Sequence, residues 1–247
     1  MKIKKLDIES EILGKAVIRL DEINNSQEFL SAESELRSAH NPFYVQCQVE
    51  ASDLEKIHAM EEAGFRFAEF RLRKQLDIHS FHTVNELSYF PYVIKSIRDE
   101  ENFAKAQQIL EQSQQDDRFS RDPLIKADIS MKRLQWYLEK SYKNRENEFI
   151  WGLFNKNSGE LLGFKTIAYN EKKQVIFQQT AMNKDLDLQK FTFMLDALVI
   201  SHYVEKGISY FYSVTSGFNL MEVDLHVSDL KYKNISSSVI LRKIYPE

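Results

Sequence analysis

EFIWGLFNKNSGELLGFKTIAYNEKKQVIFQQTAMNKDLDLQKFTFMLDALVISHYVEKG, residues Glu148–Gly207, is the stretch on which the fold turns. It opens with three short runs rich in β-branched and aromatic residues, Glu148–Phe154, Leu161–Tyr169 and Gln174–Met182, each of strand length. Asn and Gly in the intervening NKNSG suit a tight turn, so the first two runs form a hairpin and the third extends it into a meander. The periodicity then changes. From about Leu188 to Lys206, the residues Phe191, Leu195, Leu198, Val199 and His202 fall on one helical stripe. Gly207 supplies the stop.

Working outward, Tyr210–Val214 reads as a strand, Asn219–Asp229 as a helix and Ser238–Ile244 as a last strand. Before the meander, Tyr92–Arg98 alternates as a strand does. Asp99 then caps a helix carrying Phe103, Ala106, Ile109 and Leu110. A polar loop leads to a second helix near Asp128–Tyr142. The order is β-α-α-β-β-β-α-β-α-β, an α+β arrangement around a mixed sheet.

The first half ends in a similar phrase. Phe43–Val49 is a strand, Ser52–Ala63 a helix capped by Ser52 or Asp53 with Gly64 at its end, and Phe67–Leu76 a strand. Set beside Tyr210–Lys243, both phrases run strand, helix with a His midway (His58, His226), aromatic turn, and a strand ending Leu-Arg-Lys. We read a degenerate internal repeat, although two unrelated βαβ units would share as much pattern. Polar Asp77–Pro91 marks the boundary between an N-terminal module, residues 1–80, and a second domain, 90–247.

Composition narrows the class. The chain has 33 basic and 37 acidic residues, a net charge of −4, and no long basic run. That argues against nucleic acid or an anionic membrane as partner, since both are bound by neutralising phosphates. The most apolar run, Phe191–Val204, is cut by Asp196, Ser201 and His202, so no membrane span is expected. The N-terminus lacks the apolar stretch of a secretory signal, and a cytoplasmic location is expected. One cysteine, Cys47, excludes an intramolecular disulfide, and its strand position makes it a core residue. His79 and His82 have no third ligand nearby, so no metal site is expected. There is no nucleophile elbow, Walker loop or HExxH motif.

The β-α-α-β-β-β-α-β-α-β order resembles the GNAT acyltransferase superfamily, and local phrases resemble its nucleotide-aminosugar N-acetyltransferases, such as TDP-fucosamine acetyltransferase. These phrases are Leu6–Asp21 (LDIESEILGKAVIRLD), the Arg-Phe loop DDRFSRDP at Asp116–Pro123, and the turn Ala63-Gly64-Phe65 that ends the N-terminal half-module. The resemblance implies a GNAT fold preceded by a degenerate half-GNAT module. It further implies acetyl transfer from acetyl-CoA to a primary amine, with a nucleotide-linked amino-dideoxy sugar as acceptor, by direct transfer in a ternary complex.

The same resemblance implies the site. A backbone N–H within Gln178–Met182 would meet the thioester oxygen. Gln179, Thr180, Met182, Lys184, Leu188, Gln189, Lys190 and Asn219 would contact acetyl-CoA, and Arg118 and Phe119 the acceptor. His226, seven residues after Asn219, stands where those enzymes carry a Tyr acid, and an imidazolium is able to protonate a thiolate near neutral pH. Each position also has a plain structural reading: His226 as a packed helix residue, Asn219 as a helix cap, Arg118–Phe119 as an interhelical loop.

One segment departs from the family. Where its members carry a glycine-rich pyrophosphate loop, this chain has Met182–Phe191 (MNKDLDLQKF), with no glycine and with Asp185 and Asp187 near the expected phosphates. Leu230-Lys231-Tyr232 likewise lacks a turn glycine, and Asn234 is the nearby residue suited to a left-handed conformation. Two further readings therefore stand beside the acetyltransferase: a catalytically silent GNAT-like binding protein, and an acyltransferase taking its acyl group from a carrier protein. Pairing of the meander edge and the last strand across a homodimer is compatible with this order and not required by it.

Overall fold

The structure, a computed structural model, describes residues 1–23, 25–113, 117–126, 128–170 and 174–245. Ten strands make one sheet: β1 (Lys2–Lys5), β2 (Ala16–Asp21), β3 (Pro42–Glu50), β4 (Arg66–Leu76), β5 (Tyr92–Ser96), β6 (Glu148–Asn155), β7 (Leu161–Tyr169), β8 (Gln174–Met182), β9 (Tyr210–Ser216) and β10 (Tyr232–Ile244). The helices are α1 (Asp7–Leu13), α2 (Ser26–His40), α3 (Leu54–Glu62), α4 (Glu100–Gln112), α5 (Arg118–Arg121), α6 (Asp128–Lys143), α7 (Leu188–Glu205) and α8 (Leu220–Asp224). Spatial order across the sheet is β1-β2-β3-β10-β4-β9-β8-β7-β6-β5. Among the described residues, β2 with β3 and β8 with β9 pair in parallel and the other neighbours antiparallel, so the sheet is mixed.

The two βαβ phrases interleave at the centre of the sheet. Each βαβ unit, β3-α3-β4 and β9-α8-β10, gives its second strand to the other unit. β10 lies between β3 and β4, and β4 between β10 and β9, all antiparallel. A strand flanked on both sides has no free edge, so β10 is not available for pairing across a homodimer. It is also longer than the sequence suggests, because polar Tyr232–Asn234 pair with Asn234's neighbours on β4, Lys74–Leu76.

The two units differ in detail. Asp53 caps α3, and Asn219 caps α8, each accepting from the backbone N–H three residues on. The second unit then inserts a π-helical turn, Leu225–Asp229, worth one extra residue. His58 stands five residues after its cap and is exposed, whereas His226 stands seven after its cap and is fully buried, so the two histidines do not correspond. The left-handed turn that Gly64 makes (φ 92°) is made in the second unit by Lys231 (φ 64°), not by Asn234. Lys231 Nζ donates to Ser228 O at 2.6 Å, which offsets part of the steric cost of a side chain there.

Apolar residues alternate to both faces. On one face, α7 packs on Leu153, Ile167, Val175 and Phe177, while α2 and α3 pack on Ile18, Val45 and Cys47. On the other, α4 and α6 cover Val93, Ile150 and Phe164, while α1 and α5 cover Val17 and Tyr44. Cys47 is buried, and burial pushes its thiol up to about 12. α7 is buried over most of its surface yet carries Asp196, and among the described residues no helix is long and apolar enough to cross a membrane.

Candidate active site

β8 and β9 pair only from Gln174 to Phe177 and from Tyr210 to Ser213. Beyond that, β8 stays with β7 and β9 stays with β4, so the parallel pair parts. The cause is local. The register of β8 against β7 shifts between Lys165 and Ile167, and Gln179 N donates to Thr166 Oγ1 at 3.1 Å instead of to a strand carbonyl. A bulge of this kind adds twist and bends the strand away from its neighbour.

A cavity of about 490 Å³ occupies the parted end. Thr180, Ala181 and Met182 come from β8, Lys184, Leu188 and Thr192 from the turn and first part of α7, and Asn219, Met221 and Glu222 from α8. Gln112 and Ser113, at the end of α4, close it on the opposite face of the sheet. Gly163 lies behind this wall, where an added Cβ would come within 2.1 Å of Met182 Sδ and 2.8 Å of Ala181 O. A side chain there would push β8 into the cavity.

The turn into α7 holds itself together with its own polar groups. Asn183 Oδ1 accepts from Asp185 N at 3.2 Å, and Asp187 Oδ1 accepts from Lys190 N at 3.1 Å. The helix N-terminus thus spends one of its free N–H groups on an internal carboxylate. The N–H groups of Leu188 and Gln189 have no acceptor within the helix.

Behind the cavity lies a buried polar cluster. Lys165 Nζ is 2.5 Å from Asp196 Oδ1, and His226 Nε2 is 3.2 Å from Asp196 Oδ2; none of the three side chains is more than 1% exposed. His226 stacks on Tyr232 with ring centroids 4.8 Å apart, and its Nε2 is 3.9 Å from Glu222 Oε1 on the cavity wall. Lys74 is fully buried nearby, its Nζ without a hydrogen-bond partner among the described residues. Burial pushes Lys74 down to about 8. Burial also lowers His226, against the pull of Asp196 and Glu222, and holds the imidazole neutral at pH 7. Burial alone would raise Asp196, but Lys165 and then His226 outweigh it and keep its carboxyl below the ordinary range.

Thr180, Met182, Lys184, Leu188 and Asn219 are therefore brought together around one cavity. Gln179 is not with them. The bulge turns it to the other face, where Nε2 donates to Leu134 O on α6 at 3.4 Å. Gln189 and Lys190 lie on an outer face of α7 with Ser228, Asp229 and Lys231. His226 sits behind Glu222 and is not among the residues lining the cavity.

Arg118 and Phe119 lie on the single helical turn α5, where the sequence reads as a loop. Asp117 caps it reciprocally with Ser120; Asp116, which begins the Arg-Phe phrase, lies outside the described residues. Phe119 is core, 5.7 Å from the Tyr44 ring. Arg118 is buried and donates to Glu69 Oε2 at 3.2 Å. It lines a second cavity, beside Arg71 and Arg133.

Glu222, Thr192, Lys165, Lys74 and Asp196 were not singled out from sequence. Two had a readable signal: Glu222 stands three residues after a capping Asn, at capping-box spacing, and Asp196 is a charge inside an otherwise apolar helix, where burial demands a partner. Among the described residues, no cluster of three His, Cys, Asp or Glu is arranged to hold a metal.

No protein-family model matches the chain, and no curated protein matches it. Among solved structures, a GCN5-related N-acetyltransferase from Sphaerobacter thermophilus superposes with TM-score 0.63 at 11% identity, over 98% of this chain and 76% of that one. A tandem GNAT protein from the clavulanic acid biosynthesis pathway gives 0.59 at 10% identity, over 94% and 76%. A conserved protein of unknown function from Staphylococcus epidermidis gives 0.66 at 10% identity, over 96% and 89%. The chain has the GNAT fold, built on a mixed sheet.

Proposed function

We propose that the protein is an N-acyltransferase that moves an acetyl group from acetyl-CoA to a primary amine in the cavity between β8 and β9. The observation that carries this reading is the parting of two parallel central strands, with the α7 N-terminus and Asn219 at its mouth. Thr180, Met182 and Leu188 offer an apolar and hydroxyl-bearing channel to the pantetheine arm, and Lys184 a cation to the phosphates. Past Phe177, the β8 N–H groups that face the gap have lost their strand partner, which leaves donors for an oxyanion.

Deprotonation of the arriving ammonium falls to Glu222, the carboxylate on the cavity wall, directly or through a water. His226 acts through Glu222 as a positioning residue, anchored by Asp196 and Lys165. The departing CoA thiolate, with a free-thiol pKa of roughly 8.5, needs little assistance. A nucleotide-linked amino-dideoxy sugar is the acceptor class that the Arg118 region favours. The test is CoA thiol release across a panel of primary amines: turnover abolished by Glu222→Gln supports the reading, and no turnover with any amine counts against it.

A second reading has its own observation. Asp187 already occupies the α7 N-terminus, where a pyrophosphate would bind, so a carrier-protein donor, or a binding role without transfer, also fits. Acetylation from an acyl carrier protein but not from acetyl-CoA would favour it.

A further inference from the structure

A second cavity, of about 470 Å³, lies on the sheet face covered by α6. Six cationic side chains line it, Lys4, Lys5, Arg19, Arg71, Arg118 and Arg133, against two carboxylates, Asp7 and Glu9. Glu9 is engaged: its Oε1 accepts from Arg133 at 3.3 Å and from Tyr137 at 3.2 Å, while Glu69 holds Arg118 and Arg71 from behind at 3.2 and 3.5 Å, Asp117 pairs with Arg133 at 3.0 Å, and Asp21 pairs with Arg19 at 2.8 Å. Arg118 Nε and Gln46 Oε1, both buried in the lining, have no hydrogen-bond partner among the described residues. Burial, with Arg118 and Arg133 beside it and despite Glu69, lowers Arg71 from its ordinary value, so guanidinium groups are crowded here.

Crowded guanidinium groups with spare donors favour an oxyanion, which accepts several charge-assisted hydrogen bonds at once. The unpaired Gln46 oxygen adds an acceptor for a neighbouring hydroxyl or N–H. The cavity's position relates it to the acyl site. Arg71 pairs with Ser216, the last residue of β9, beside the mouth of the parted strands. Gln46 and Gln48, on β3, are three strands from β9, about 14 Å at roughly 4.8 Å per strand. Gln112 and Ser113 show that the acyl cavity reaches this same face.

Resting on the transferase reading, we propose that this cavity holds a phosphate or carboxylate of the acceptor, carried roughly 7–17 Å from the amine that reacts between β8 and β9. The acceptor is then an elongated, anionic amine rather than a small neutral one.

Calorimetric titration of the protein alone with pyrophosphate and, separately, with tricarballylate tests this without any acyl donor, so it stands apart from the question of turnover. Binding of pyrophosphate at least tenfold tighter identifies a phosphate source, and the reverse order a carboxylate source. Arg71→Gln should weaken the favoured anion about tenfold. The exposed pair Lys4→Gln with Lys5→Gln, which leaves the core untouched, should weaken it about threefold or more. Asn219→Ala, at the acyl cavity, should leave it unchanged. Neither anion binding at 5–10 mM, or binding indifferent to both basic-site variants, overturns the proposal.

Discussion

Asp187→Gly isolates the feature that most distinguishes the proposed acyl site. Asp187 places a carboxylate on the first turn of α7 and consumes the Lys190 N–H. A pyrophosphate seated on the remaining N–H groups would lie about 6 Å from that carboxylate. Coulomb's law at that separation gives about 0.7–3 kcal/mol of repulsion per unit charge for effective dielectric constants of roughly 80 down to 20. With physiological screening, about 1–2 kcal/mol is the realistic range, or roughly 5–30-fold in affinity. Glycine is itself an acceptable cap, costing the helix only a few tenths of a kcal/mol. Calorimetric titration with CoA should therefore show roughly 5–30-fold tighter binding at unchanged far-UV circular dichroism. The gain should shrink in ~0.5 M salt. Asp185→Gly, which removes an exposed charge but no cap, should give a smaller gain. Unchanged or weaker CoA binding by a folded Asp187→Gly protein would refute the argument.

Asp196→Asn leaves Lys165, 1% exposed, beside a neutral group. It should cost about 3–5 kcal/mol in urea unfolding, a Tm fall of roughly 6–20 °C. A loss below about 1 kcal/mol would mean that the pair is not held as described. His226 is depressed in the folded state, so the unfolded chain takes up its proton first as pH falls. Stability should be full above about pH 6.5 and decline below it by up to ~1.4 kcal/mol per pH unit. His226→Gln should flatten that decline; an equally steep profile in the variant would assign the slope elsewhere. Lys74 is also depressed, so its burial costs stability below about pH 8, and the cost fades as pH rises toward 10.5. Lys74→Met should stabilise the protein at pH 7 by roughly 2–3 kcal/mol. Melts at pH 7 and 10 should show that gain shrinking, and a gain independent of pH would contradict the titration.

Much of the fold is legible in the sequence because its elements declare themselves locally. The meander strands are short runs of β-branched and aromatic residues parted by turn residues, α7 repeats at helical spacing, and Gly207 closes it with φ 80°. What is not legible depends on contacts between distant parts of the chain. Exchange of β4 and β10 requires pairing of Val239 with Phe70, far apart in sequence, and nothing in YKNISSS looks like the strand it becomes. Within the site, Thr180 and Met182 face the cavity while Gln179 turns toward α6, because a bulge breaks the alternation just before them. Period-2 patterning has no means of locating that break. Lys231 takes the left-handed turn although Asn234 has the better intrinsic tolerance, since the turn falls where Leu230 must be buried and Tyr232 must start β10. Glu222 hides behind its capping geometry: the same carboxylate that accepts from Asn219 Nδ2 at 2.9 Å also forms the wall of the cavity.

Calorimetric titration with acetyl-CoA, run on the native protein and on Thr180→Trp, tests the central claim most directly. Thr180 lines the cavity from β8, and an indole there would fill the space between the parted strands. The account predicts one site of micromolar affinity in the native protein and its loss in a folded Thr180→Trp. No binding at millimolar acetyl-CoA, or binding that Thr180→Trp leaves intact, would contradict it.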